Sequence, residues 1–307
     1  WIVPRAAYVH IPFCAHQCGY CDFAVSVGRD GRIDAYLDAL EREMSRLETV
    51  RPIATLFLGG GTPSHLSPPQ QERLFGILAR RLSVEPGGEV TLEANPDDVT
   101  AEKASLWREH GVTRLSLGAQ SFNAKLLHAL ERRHRVEHVA QAVERARRAD
   151  LEVSLDLIFA VPGQEPADWL EDIKRGLALG PDHISTYGLT FEKGTRLWKQ
   201  REGGAVQSLP EERELEMYLA GKDALQAAGF ELTPVADAHL CCGSAGTYSV
   251  LQPELSLRLR DNKLACLQAG APADIASANI GCIAHLQSGT PTPVSHWIEL
   301  LDRQLGS

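Results

Sequence analysis

Between Cys21 and Cys241 the chain has no cysteine, so its seven thiols fall into an early group and a late one. No apolar stretch reaches the ~20 residues that a membrane-spanning helix needs. The first residues lack the basic-then-apolar pattern of a secretory signal. Reactive thiols without such a signal indicate a reducing compartment, the cytoplasm. No run of Lys or Arg interrupts a formal net charge of −9, which excludes an electrostatic nucleic-acid binder. Neither the P-loop G-x4-G-K-[ST] nor the dinucleotide G-x-G-x-x-G is present, so phosphate cradling is not indicated. The chain opens on Trp1 rather than Met, which suggests that a few residues precede it. Its 307 residues, 44% of them hydrophobic, suffice for one large domain or two smaller ones.

Three of the thiols share one loop. Cys14, Cys18 and Cys21 are spaced C-x3-C-x2-C and follow the apolar run Tyr8-Val9-His10-Ile11-Pro12-Phe13. Three thiolates at this spacing can ligate three irons of a cubane cluster and leave the fourth iron open to a small molecule. Clusters normally take four cysteines, so a set of three points to a catalytic one. The competing reading is a structural zinc site completed by His10 or His16. Zinc ligands usually come as two separated pairs, whereas these thiols fall within eight residues. Downstream, Leu56-Phe57-Leu58-Gly59-Gly60-Gly61-Thr62-Pro63-Ser64 is an apolar strand running into three glycines. Without a Cβ that backbone can turn sharply and approach a ligand. Its carbonyls suit a ligand ammonium, although a triple glycine by itself is a tight turn.

Strand and helix patterns alternate along the chain. Apolar strand candidates are Ala6–Ile11, Ile53–Leu58, Glu89–Glu93, Arg114–Leu117, Glu152–Phe159 and His183–Leu189. Helical spacing marks Ile33–Leu47, Pro69–Arg81, Ala101–His110, Val136–Ala149, Ala167–Leu179 and Pro210–Ala228. Six β–α units predict an α/β fold, a parallel sheet rolled into a partial (β/α)6 barrel, whose ligands bind at the C-terminal strand ends. The cysteine loop follows the first strand and the glycines follow the second. Glu93 ends the third, Gln120 follows the fourth and Asp156 lies within the fifth.

With these motifs in place, residues 3–230 resemble the radical S-adenosylmethionine (SAM) superfamily. The resemblance rests on Cys14-x3-Cys18-Gly19-Tyr20-Cys21, Gly59-Gly60-Gly61-Thr62-Pro63, Leu92-Glu93-Ala94-Asn95-Pro96, Arg114 to Phe122 and Leu155 to Gly163. It narrows to the oxygen-independent coproporphyrinogen III oxidases and, more closely, to HemW-type heme chaperones. The oxidases carry a further cysteine two residues beyond the third; here that place is Phe23, the heme-chaperone form. The resemblance implies a radical SAM barrel with a [4Fe-4S] cluster on Cys14, Cys18 and Cys21. SAM then binds the open iron, and its reduction releases a 5′-deoxyadenosyl radical, the cofactor carrying the hard chemistry. It implies heme or another tetrapyrrole as ligand, an electron-donor protein as partner, and roles in heme handling or porphyrin biosynthesis.

Around that cofactor, Tyr8 and Tyr20 offer aromatic surface to adenine, and Gly60, Gly61 and Thr62 line the approach. Glu93 suits the cationic end of SAM, Gln120 and Asp156 suit the ribose, and Arg132 suits the methionine carboxylate. Gly188 completes the rim. His110, His134 and His138 lie in charged helical stretches and are expected to face water.

After Pro210–Ala228 the pattern changes. Residues 230–307 resemble the cysteine-rich end of the glycolate oxidase iron–sulfur subunit, with Cys241-Cys242-Gly243 as the second half of that repeat. The cysteine expected thirty to forty residues earlier is missing, so the segment holds half a motif. The organisation expected is a barrel over 1–229 and a small α/β C-terminal segment, a partial cysteine-rich domain, over 230–307. Cys241, Cys242 and Cys282 with His285 form a candidate metal set, set against small buried thiols as the plainer reading. The tail raises a third function, electron transfer in a glycolate-oxidising complex. Against it stands the absence of any ferredoxin-type C-x2-C-x2-C-x3-C run.

Overall fold

The computed structural model describes residues 5–227, 253–277 and 280–296. The chain divides into two compact units, Trp1–Lys222 and Asp223–Ser307. In the first, six parallel strands hydrogen-bond in strict chain order. They are β1 (Ala6–Ile11), β2 (Arg51–Gly60), β3 (Leu82–Ala94), β4 (Arg114–Gln120), β5 (Glu152–Phe159) and β6 (His183–Gly188). This is the partial (β/α)6 barrel that the alternation predicts. β2 and β3 begin earlier than expected, because Arg51, Pro52 and Ile53 pair with Leu82, Ser83 and Val84 ahead of a register shift.

Parallel strands need helical crossovers, and the amphipathic stretches supply them. They are α1 (Ile33–Ser45), α2 (Pro68–Ala79), α3 (Ala101–Glu109), α4 (Ala124–Ala129), α5 (Val136–Arg148), α6 (Pro166–Ala178), α7 (Arg196–Glu202) and α8 (Glu211–Ala227). α5 shows the cause plainly. It buries Val139, Ala142, Val143 and Ala146 on one stripe and ends in Arg145, Arg147 and Arg148, cations that favour a helix C-terminus. Pro166 opens α6, whose buried stripe includes Trp169, Asp172 and Ile173. The short α4 and α7 were not expected from spacing, since six or seven residues span too few turns to show a period.

Side chains alternate across a strand, so each strand has a packed face and an inner face. Val9, Leu58, Leu92, Leu115 and Val153 align in register as one buried apolar row. One residue along, Glu93, Ser116, Ser154 and His183 form an equally aligned row on the opposite, inner face. That parity makes the barrel interior polar and gives the rim its chemistry.

In the second unit, helices Pro253–Gln268 and Ile280–Gln287 accompany a two-stranded parallel pair, Ile275–Ser277 and Val294–His296. Leu264, Ile275, Leu286 and Val294 form its core, with Cys282 packed against them. Cys266 is half-buried on the first of these helices, and His285 engages Ser256. Cys241, Cys242 and the expected join at Ala228-Gly229-Phe230-Glu231 lie outside the described residues. No helix among the described residues is long and apolar enough to cross a membrane.

Candidate functional site

The C-terminal strand ends open into a cavity of about 430 Å³, within the range of small-molecule and cofactor sites. Its walls contain Cys14, Cys18 and Cys21 together with Tyr20, Gly60, Gly61, Thr62, Glu93, Gln120, Arg132, Asp156 and Gly188. Thus every residue expected around the cluster and SAM lines one space except Tyr8. Tyr8 stacks on Phe57 from the edge strand β1, its hydroxyl 3.4 Å from His10 Nδ1.

The cysteine loop is stitched to the barrel rim. The Gly61 N–H donates to Ile11 O and the Thr62 N–H to Phe13 O, which lays the glycine strand end along the start of the loop. A Cβ on Gly60 would stand 2.3 Å from the His10 ring, and one on Gly61 would stand 2.7 Å from backbone atoms of Ile11 and Pro12. Gly60 also sits at φ +107°, where side-chain-bearing residues are strained. All three loop cysteines are free thiols, Cys14 buried and the others half-buried. Burial raises the Cys14 and Cys21 thiols above their ordinary pKa. Among the described residues, no three His, Cys, Asp or Glu side chains are gathered tightly enough to hold a single ion. The thiols therefore line the cavity without converging on a point. The two histidines considered as zinc ligands are turned elsewhere: His10 Nε2 is 2.9 Å from Ala24 O and His16 Nε2 is 3.0 Å from Glu131 O.

Across the cavity lie two carboxylates. Glu93 accepts the Gly60 N–H at 3.0 Å, and Asp156 accepts the Ser116 hydroxyl at 3.0 Å. Burial, reinforced by the Asp156 charge, pushes Glu93 up to about 7. Burial raises Asp156 to about 6, with the Ser116 and Ser185 hydroxyls partly offsetting it. Two desolvated carboxylates facing one space favour a cationic ligand, since a nearby positive charge stabilises their ionised forms. Below about pH 3 both carboxyls are largely neutral, folded and unfolded. As pH rises toward 7 the unfolded chain ionises first, so stability falls across that window. Glu93→Gln keeps an acceptor for Gly60 and should flatten the decline of the urea midpoint between pH 4 and 7. An unchanged slope in that variant would refute the assignment.

Arg132 is held from several sides. Its Nη2 donates to Asn95 Oδ1 at 2.6 Å and to Gly118 O at 2.9 Å, while Nη1 is 3.4 Å from Cys18 Sγ. It lies in the turn between α4 and α5 rather than on a helix face. His134 corrects an expectation: it does not face water but is 4% exposed. Its Nε2 lies 3.1 Å from Ala119 O, a pure acceptor, so that nitrogen carries the proton and Nδ1 accepts from Arg132 Nε. Burial, then the Arg132 charge, lowers His134 to about 3, so the ring stays neutral and steers the guanidinium. His110 is exposed and His138 half-buried beside Arg135.

Gln120 ends β4 after a register shift and sits at φ +62°, a strained conformation that turns its side chain to the cavity. Asp172 on α6 holds the next turn, accepting Ser121 Oγ and the Phe122 N–H at 2.6 Å each. The sequence gives Ser116, Ser185, Asn95, His134 and Asp172 no role at the site. Inward parity with Asp156 is a signal that finds the two serines; the others depend on chain returns from distant elements.

A six-stranded parallel barrel whose rim carries three thiols, a glycine cradle and inward carboxylates has the architecture of the radical SAM class. The radical SAM superfamily model matches residues 8–176, and the chain belongs to that superfamily, whose members use a [4Fe-4S] cluster and SAM. Within it, the chain is 40% identical over 230 residues to the heme chaperone HemW of Bacillus subtilis, covering 73% of this chain and 61% of that protein. It is 35% identical to the mitochondrial radical S-adenosyl methionine domain-containing protein 1 of Danio rerio, covering 74% of this chain and 52% of that one. Escherichia coli coproporphyrinogen III oxidase (HemN), a radical SAM enzyme, superposes with a TM-score of 0.67 at 28% identity, over 74% of this chain and 54% of its own. The chain thus spans some three-fifths or less of the length of these relatives. A cysteine-rich domain model matches residues 210–287, in keeping with the resemblance of the tail.

Proposed function

We propose that this chain is the SAM- and cluster-holding part of a heme-handling protein, with heme or a related tetrapyrrole as its ligand and the cytoplasm as its location. Phe23 carries this reading, because it stands where the oxidases place a further cysteine. The similarity to heme chaperones over the whole barrel supports it. The barrel is taken as residues 1–229 and the cysteine-rich segment as 230–307.

In this reading Cys14, Cys18 and Cys21 hold the cluster, and their fit rests on free thiols that share one wall. The cluster and SAM together supply one-electron chemistry when bound. The chain's own residues bind and orient. Glu93 and Asp156 offer negative charge to the cationic end and hydroxyls of SAM. Gln120 adds an amide near Asp156, and Arg132, fixed by Asn95, Gly118 and His134, presents a cation to the methionine carboxylate. Tyr20 packs with Leu126, Leu130 and Ile158 and lends aromatic surface. An electron-donor protein completes the system. The deciding experiment is anaerobic reconstitution with iron and sulfide, electron paramagnetic resonance with and without SAM, and then heme titration. A SAM-responsive cluster with heme binding, and no turnover of coproporphyrinogen, supports the proposal. Turnover of coproporphyrinogen would move the oxidase reading to the front.

The SAM pocket has its own test. Asp156→Ala and Gln120→Ala should each weaken SAM binding at unchanged iron content, because they face the ligand and not the thiols. A lost buried hydrogen bond costs about 1–3 kcal/mol, or roughly 5- to 150-fold in Kd. Normal SAM titration in both variants would overturn these roles.

The electron-transfer reading finds its support in the cysteine-rich match at residues 210–287. Only the later half of that repeat's cysteines is present, so Cys241, Cys242 and Cys282 should be dispensable for iron. The triple Ala variant is expected to keep its iron and sulfide per chain. Loss of about half the iron with the SAM-responsive signal intact would reveal a second cluster and favour electron transfer.

A further inference from the structure

Two of the three loop thiols have a side-chain hydrogen-bond donor. The Thr62 hydroxyl donates to Cys14 Sγ at 3.2 Å, and Arg132 Nη1 lies 3.4 Å from Cys18 Sγ. The two donors differ in kind. Arg132 is shared with Asn95 Oδ1 and Gly118 O and also faces the cavity. Thr62 acts from the end of the neighbouring strand β2, and both it and Cys14 are 7% exposed. Its position is fixed independently of the hydroxyl, because its N–H donates to Phe13 O and its carbonyl accepts from the His65 N–H. A rigid, dry donor is thus aimed at one sulfur.

We propose that Thr62 is a positioning residue that raises the reduction potential of the cluster through Cys14. The proposal rests on the reading that Cys14, Cys18 and Cys21 hold the cluster. One electron entering the cluster from an external one-electron donor adds negative charge that spreads onto its sulfur ligands, with no proton transferred. A donor to Sγ stabilises that added charge more than the oxidised form, and hydrogen bonds to the sulfurs are an established lever on cluster potential. Burial enlarges the effect, since little water screens it.

The test is a potentiometric titration of the reconstituted full chain with dithionite and mediators, read by the resonance of the reduced cluster. Thr62→Val keeps the shape and removes the donor. It should lower the midpoint so that the reduced-to-oxidised ratio, at the potential where the parent is half reduced, falls about tenfold, or about 59 mV for a one-electron couple. Thr62→Ser restores a hydroxyl and should return the midpoint toward the parent. Iron per chain should match the parent in both. An unchanged midpoint in Thr62→Val overturns the proposal, as does weakened SAM binding at an unchanged midpoint. Loss of iron from Thr62→Val but not from Thr62→Ser also overturns it, by assigning Thr62 to cluster assembly. A parent chain that takes up no cluster would instead defeat the reading beneath it, and the two failures are distinguishable.

Discussion

Replacing any one of Cys14, Cys18 or Cys21 with Ala is expected to abolish the cluster: iron and sulfide per chain fall to background and the SAM-responsive resonance disappears. The effect should be all-or-none because the loop supplies three thiols within eight residues and the cavity wall offers no substitute thiol. Of the nearby ring nitrogens, His10 and His16 are bound to the carbonyls of Ala24 and Glu131 and cannot readily replace a thiolate. The barrel should still fold, since its core is the apolar row on the packed face and not the loop. Circular dichroism of the three variants should therefore match the parent. Zinc uptake by the parent without iron, in air-free buffer, would remove the basis of this expectation.

Gly60→Ala should be the most damaging change that touches no ligand-bearing side chain. Two costs combine. A residue with a Cβ held at φ +107° is strained by about 1–3 kcal/mol. The new Cβ would also stand 2.3 Å from the His10 ring, and overpacking typically costs about 1–3 kcal/mol more. Their sum is a large part of a marginal folding free energy of about 5–15 kcal/mol, and should lower Tm by on the order of 10 °C. His10 also sets the start of the cysteine loop, so its displacement should lower cluster occupancy. Gly28→Ala provides the control. Gly28 is likewise at positive φ, +67°, but nothing lies within 4 Å of an added Cβ. It should suffer the strain alone. Equal loss of Tm in both variants would show that close approach at the rim is not what Gly60 serves.

Much of the fold was legible because its cause is periodic. β1 and β5 fall at the bounds that alternation and apolar runs give, and α1, α3, α5 and α6 end within two residues of their expected limits. Periodicity is a local property, set by 3.6 residues per helical turn and 2 per strand, so a single chain displays it. It fails where elements are short, as in α4 and α7, and where pairing extends a strand through Pro86 and Gly87. The shared motif order supplied the rest, including the cysteines, the glycines and the inward Glu93 and Asp156.

By itself the sequence determined the class of the protein: C-x3-C-x2-C, a glycine strand end and rim carboxylates in order on six β–α units. Only the tertiary structure decided which groups meet. It buried His134 as a neutral prop for Arg132, left Tyr8 outside the cavity wall and aimed Thr62 at Cys14. It also brought Asp156 near enough to Glu93 for its charge to raise that carboxyl. The physical reason is that spacing along a chain fixes backbone geometry. Proton affinity and hydrogen-bond partners instead depend on distances of a few ångströms between residues tens of positions apart, which closure of the barrel alone sets.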